Sequence, residues 1–200
     1  MKTVVAVAAL AACACASAAR VDIQVQDAAG KPLQGAVAYL ESPAARAAAR
    51  PKTGTEIEQA DRRFTQAVTV VTAGSQIHFP NRDKVRHHVF SFSKAKAFEI
   101  KLYTGTPANP VLFDQPGLVV LGCNIHDTML AWVLVVETPW HGQTNALGQL
   151  RLPDVPPGAY RLRVWHADLP TGTMPVDQPL TVGATESAAA VRLTAVAAAR

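Results

Sequence analysis

From residue 20 onward the chain alternates apolar and polar positions and shows no helical period. Val21-Asp22-Ile23-Gln24-Val25 puts an apolar residue at every second position, the period of a strand with one buried face. Ala29-Gly30-Lys31-Pro32 supplies turn residues, and Ala36-Val37-Ala38-Tyr39-Leu40 extends again. From Ser42 to Thr55 the pattern gives way to Ala, Arg, Pro and Gly, which predicts a loop or short helix and a boundary. Strands then resume. Ala67 to Val71 is β-branched, Ala73-Gly74 turns, and Gln76-Ile77-His78-Phe79 ends at Pro80-Asn81. His87 to Phe92 and Leu118 to Leu121, the latter after the Pro116-Gly117 turn, read as further strands. Ala131 to Val136 is apolar throughout, as in a strand buried on both faces. After Pro139-Trp140 the pattern restarts, with turns at Asn145-Ala146-Leu147-Gly148 and Pro156-Pro157-Gly158 and clean alternation over Tyr160 to Val164. Short strands at near-regular spacing predict an all-β protein built from sandwiches.

The first residues, MKTVVAVAALAACACASAAR, break this pattern. Lys2, an apolar run from Val4 to about Ala12, and Ala16-Ser17-Ala18 fit an export signal over 1–19. The run is shorter than the roughly 20 residues a spanning helix needs, and no later stretch could form one. Leu10-Ala11-Ala12-Cys13 also fits a lipoprotein-type site with a lipid anchor on Cys13. Either reading predicts an exported protein in the periplasm. The formal charge of +4 is mild and its basic residues are scattered, so nucleic-acid binding is not expected. No phosphate-binding Gly-rich loop and no Ser/His/Asp nucleophile motif occurs, which leaves an enzyme mechanism little to stand on.

Cysteine use sharpens the picture. Cys13 and Cys15 fall in the leader, which leaves Cys123 alone in the mature chain. A single thiol in an oxidising compartment closes no internal disulfide, and it is reactive, intermolecular, metal-bound or simply buried. Its neighbours favour metal. In LGCNIHDTML, His126 follows Cys123 by three residues and Met129 follows by three more, in the connection between two apolar strands. Thiolate, imidazole and thioether form a soft set that suits copper in both oxidation states; zinc would more often take further Cys or His. Two His and one Cys with a weak axial Met is the blue-copper arrangement, so the loop predicts a second histidine upstream. Arg86-His87-His88-Val89-Phe90 offers two. Successive strand residues face opposite sides, so one of them points at the site, and parity alone does not choose.

The region from about Glu56 to Glu137 resembles the cupredoxins, and its ligand loop is most similar to that of the amicyanins. Phe64, Val70, Gly74, Ile77, Phe79 and Asn81 follow the order of the early strand pair of that family, before His87-His88-Val89 and the Cys-x2-His-x2-Met loop. The resemblance implies a Greek-key sandwich with one type-1 copper held by His87, Cys123, His126 and Met129. It also implies that His126 is the electron exit. His88 stands where the family has an Asn that braces the ligand loop. The wider match resembles bacterial plastocyanin-like or methylamine-utilisation proteins.

Outside that region, VQDAAGKPLQGAVAYL and TNALGQLRLPDVPPGAYRLRVWH resemble the early and later strands of carboxypeptidase-regulatory-like (transthyretin-type) sandwiches. The simplest reading is one small sandwich split by the copper domain. The alternative is an N-terminal strand pair on the copper domain's sheet, with a separate C-terminal module. The expected organisation is a leader over 1–19, first sandwich strands over 20–42, a linker over 43–55, a cupredoxin domain over 56–138, and the sandwich remainder with tail over 139–200. His166 reads as a core or interface residue, His78 as an edge residue, and His141 as part of a polar turn. Arg82, Lys84 and Arg86, with Lys94, Lys96 and Lys101 farther on, read as either an ordinary surface or a positive rim that steers an acidic partner. The expected role is periplasmic electron transfer with a redox partner such as a c-type cytochrome or dehydrogenase. Copper carriage or sensing, and a scaffold with a vestigial copper site, are the alternatives.

Overall fold

A computed structural model describes residues 18–196. The stretch expected to be an export leader, with Cys13 and Cys15, lies almost wholly outside the described residues. In chain order the elements begin with β1 (Ala19–Gln26), β2 (Val37–Glu41) and a single short helix, α1 (Pro43–Ala48). Short strands β3 (Thr55–Glu56), β4 (Gln59–Ala60) and β5 (Arg63–Phe64) lead into β6 (Val68–Thr72) and β7 (Ser75–His78). Then come β8 (His87–Ser93), β9 (Lys96–Tyr103), β10 (Val111–Phe113), β11 (Gly117–Cys123) and β12 (Leu130–Val136). The last five are β13 (His141–Gln143), β14 (Gln149–Val155), β15 (Gly158–Trp165), β16 (Val176–Val182) and β17 (Glu186–Arg192). The protein is all-β, as the alternation predicts. The Ala-rich stretch after Ser42 resolves into α1, which Pro43 opens and the Ser42 hydroxyl caps by accepting from the Ala45 N–H at 3.0 Å.

Two sandwiches are formed. In the first, the five-stranded sheet β6-β12-β11-β8-β9 faces the three-stranded sheet β10-β7-β3. Ile77, Phe79 and Phe113 on one side meet Val89, Val119, Leu121, Val133 and Val135 on the other. In the second, β14-β1-β17 faces β13-β2-β15-β16. Both N-terminal strands are central there: β1 pairs with β14 and, in parallel, with β17, while β2 pairs with β13 and β15. Backbone from both ends of the chain therefore satisfies the hydrogen bonds of one sandwich. The inward faces of β1 and β15 bury Val21, Ile23, Val25, Leu162 and Val164.

The uninterrupted apolar run of β12 joins the two. Ala131, Val133 and Val135 belong to the core of the first sandwich, whereas Leu134 and Val136 belong to that of the second. Val68, Val70, Leu118 and Trp132 pack against the second core, and the Trp132 and Trp165 rings lie 6.2 Å apart. A strand buried on both faces has no room for polar residues, which is why the alternation vanishes over this stretch. Among the described residues no helix is long and apolar enough to cross a membrane.

Candidate metal centre

The site is built where β8 and β11 run side by side. Phe90 pairs with Gly122 and Val89 with Cys123. On β11, Val119, Leu121 and Cys123 point into the first core; on β8, His87, Val89 and Ser91 do the same. Strand parity thus puts His87 and Cys123 on one face and turns His88 to the other. His87 is fully buried, and Cys123 is 5% exposed. His126 enters from the connection between β11 and β12, whose backbone closes on itself through the Met129 N–H donating to the His126 carbonyl at 2.9 Å. The ligand atoms of His87, Cys123 and His126 lie within 4.8 Å of one another, and the two imidazole rings stand 5.1 Å apart.

Each nitrogen's role follows from its partners. The Asp83 carboxylate can only accept, so His87 Nε2, at 2.7 Å from it, donates. That tautomer leaves the lone pair on Nδ1, which lies 3.8 Å from Cys123 Sγ. His126 Nδ1 is buried and has no hydrogen-bond partner. An orphaned buried imidazole nitrogen is costly unless something coordinates it. Two nitrogen lone pairs and a thiol therefore converge on one small space, and the donor set fits a soft metal ion such as copper. Met129 is 2% exposed and belongs to the same core cluster as Cys123.

Asp83 is a functional neighbour that the sequence reading did not single out. It also accepts from the backbone N–H groups of Asp61 (2.8 Å) and Arg62 (3.0 Å), two consecutive residues with φ of 52° and 57°. Burial works to raise its pKa, but the hydrogen bonds from His87, Arg62 and Asp61 together outweigh burial and hold the carboxyl below its ordinary range. Asn81 fixes the same loop, donating from Nδ2 to the Val85 and Tyr103 carbonyls at 2.9 Å each and accepting from the Asp83 N–H at 2.9 Å. An irregular loop has no period, so Asp83 carried no sequence signal beyond its closeness to His87.

The remaining histidines divide cleanly. His88 faces outward, with Nε2 2.8 Å from Glu99 on β9. Its side chain does not replace the bracing Asn of the resemblance; the backbone does part of that work, since the Asn124 N–H donates to the His88 carbonyl at 3.2 Å. His166 is buried in the second sandwich, donating from Nε2 to the Gln34 carbonyl (3.0 Å) and accepting at Nδ1 from the Asp168 N–H (3.1 Å). His78 is half-buried at the end of β7. His141 opens β13 and does not sit in a polar turn: pairing with Tyr39 carries it into a sheet, and burial with Lys52 nearby lowers its pKa to about 4. The expected positive rim is uneven. Arg82 is engaged by Glu58 at 2.8 Å, whereas Lys84 and Arg86 are exposed.

No protein-family model matches the chain, and no curated protein matches it. Solved structures do. An amicyanin variant in its Cu(I) form is 18% identical, covers 50% of this chain and 98% of its own, and gives a TM-score of 0.37. An oxidised amicyanin variant is 17% identical with the same coverage and a TM-score of 0.38. A purple cupredoxin from Nitrosopumilus maritimus is 16% identical over 41% of this chain and 99% of its own, with a TM-score of 0.36.

Proposed function

We propose that the protein is an exported type-1 copper protein that carries single electrons in the periplasm. The observation that carries this reading is the buried His87–Cys123–His126 cluster, in which one nitrogen is orphaned and another is aimed by a carboxylate. His87, Cys123 and His126 would hold copper in a plane, with Met129 as a weak axial ligand. Bound copper would supply a one-electron couple between Cu(I) and Cu(II).

The chain's own residues do the rest. Asp83 fixes the His87 ring and its tautomer before any metal arrives. The β8–β11 pairing fixes Cys123 against His87, so the ligands need not move when charge changes. The surrounding Val89, Leu121 and Ala131 are fully buried and exclude water from the thiol. His126 is half-buried, and the adjoining Ile125 is about half exposed (49%), which gives an apolar surface beside a ligand residue. That surface suits electron exit through His126. Export rests on the leader pattern, with Cys13 as a possible lipid anchor. The partner class is a c-type cytochrome or a dehydrogenase.

Protein-film voltammetry of the copper-loaded mature chain tests the role. A reversible one-electron wave with metal retained in both states is expected. Loss of metal on reduction, or rapid transfer of Cu(I) to an acceptor chelator, would favour a copper carrier.

A further inference from the structure

The outer face of the five-stranded sheet is divided. Over β6 and β12 it is covered, with Val68, Val70 and Trp132 packed on the second sandwich. Over β8 and β9 it is open, and Ala97, Glu99 and Lys101 are exposed there. The outward residues of β8 are His88, Phe90 and Phe92. Their rings follow one another, His88 to Phe90 at 6.1 Å and Phe90 to Phe92 at 5.1 Å. Phe90 lies over Gly122, where an added Cβ would come within 2.9 Å of its Cζ. The stripe therefore begins one residue from Cys123 and ends at Phe92, which is 85% exposed.

A phenylalanine in water contributes little to folding, whereas exposed aromatics rimmed by polar groups mark contact surfaces and anchor them. The rim is positive. Lys94 follows Phe92 in the β8–β9 turn and forms no ion pair among the described residues, and Lys101 is exposed on the same open face as Glu99. Glu99, the one acidic residue of the two strands, is already held by His88 at 2.8 Å and by Lys101 at 3.9 Å. A lipid surface would press on the Glu99 carboxylate in mid-face.

We propose that the open β8–β9 face docks a protein whose contact surface carries carboxylates around an apolar centre, with Phe92 as the anchor. This deepens the copper reading and rests on it for one point only. The docked partner is a one-electron metalloprotein, and a single electron passes between its centre and the site beside Gly122, with no bond made or broken and no proton moved.

The test is titration of the 15N-labelled protein, metal-free and Cu(I)-loaded, with an acidic c-type cytochrome at two salt concentrations. Shifts centred on Phe92, Lys94, Lys96 and Ala97 are expected. Phe92→Ser weakens binding about tenfold or more, and Lys94→Glu with Lys101→Glu slows association about tenfold and flattens its salt dependence. Shifts confined to Ile125 and His126, or no binding, would overturn the proposal. So would Phe92-dependent self-association, or Phe92-dependent binding to phosphatidylglycerol vesicles without cytochrome binding. Binding is read in the metal-free protein as well, so a failure of the copper reading shows separately, as a missing thiolate-to-copper band when the same protein is loaded with Cu(II).

Discussion

His87 shows how a single residue acquires a function. As a free imidazole it has two interchangeable nitrogens; against the Asp83 carboxylate at 2.7 Å it has one donor and one lone pair aimed at Cys123. Removing that carboxylate's charge should leave the fold in place and loosen the ring. Asp83→Asn is expected to weaken copper binding by about 10–100-fold, the usual cost of losing a partner that orients a ligand. A competition titration against a Cu(I) chelator measures it, and unchanged affinity would mean that the strands alone orient His87. Cys123, His126 and Met129 stood out in the sequence because their spacing and softness fit one metal. Asp83 did not, because nothing in a carboxylate four residues before a histidine distinguishes it from any loop acid. The choice between His87 and His88 lay between these cases: it needed the register of β8 against β11, which only the assembled sheet supplies.

Elements were legible where one face is buried and the other wet. Strands β1 and β15 alternate cleanly, and each lies in a sheet with its inner face in the second core. Strand β9 passed unread because its inward Phe98, Ile100 and Tyr103 are only partly buried, and Glu99 and Lys101 stand between them. The turns were visible as Gly and Pro, but not what each turn touches. Gly148 has φ of 70°, and a Cβ there would sit 2.4 Å from the Val25 carbonyl oxygen. Its own carbonyl accepts from the Val25 N–H at 2.8 Å, locking the β13–β14 turn onto β1. Gly148→Ala combines a backbone clash with left-handed strain and should destabilise the protein by about 2–4 kcal/mol. Urea unfolding followed by tryptophan fluorescence reads this directly; a change below about 0.5 kcal/mol would show that the turn relaxes freely.

At the scale of the molecule the two sandwiches meet through one strand, so the first sandwich and its flanks are one packed body. Periodicity could announce two sheets' worth of strands but not that β12 would feed both cores. His141 reports on this assembly. It is carried by β13, which pairs with β2 from the other end of the chain, and Lys52 from the segment between α1 and β3 lies near enough to disfavour its charge. Unfolded, the ring titrates near 6.5; folded, burial and then Lys52 bring it to about 4. Between these values the unfolded chain binds more protons, so His141 costs nothing above pH 6.5 and destabilises the fold progressively as pH falls toward 4. Urea midpoints at pH 7 and 4.5 should therefore differ less in His141→Gln than in the parent protein. Equal differences would mean that the ring is protonated in place.

The central claim is that Cys123 and its neighbours form one copper site. It is tested most directly by the optical and EPR spectra of the mature protein loaded with Cu(II), beside a Cys123→Ser control. The account predicts an intense visible thiolate-to-copper band that bleaches reversibly on reduction and is absent from the control. A copper-loaded protein without that band, or with a band that survives the substitution, would contradict it.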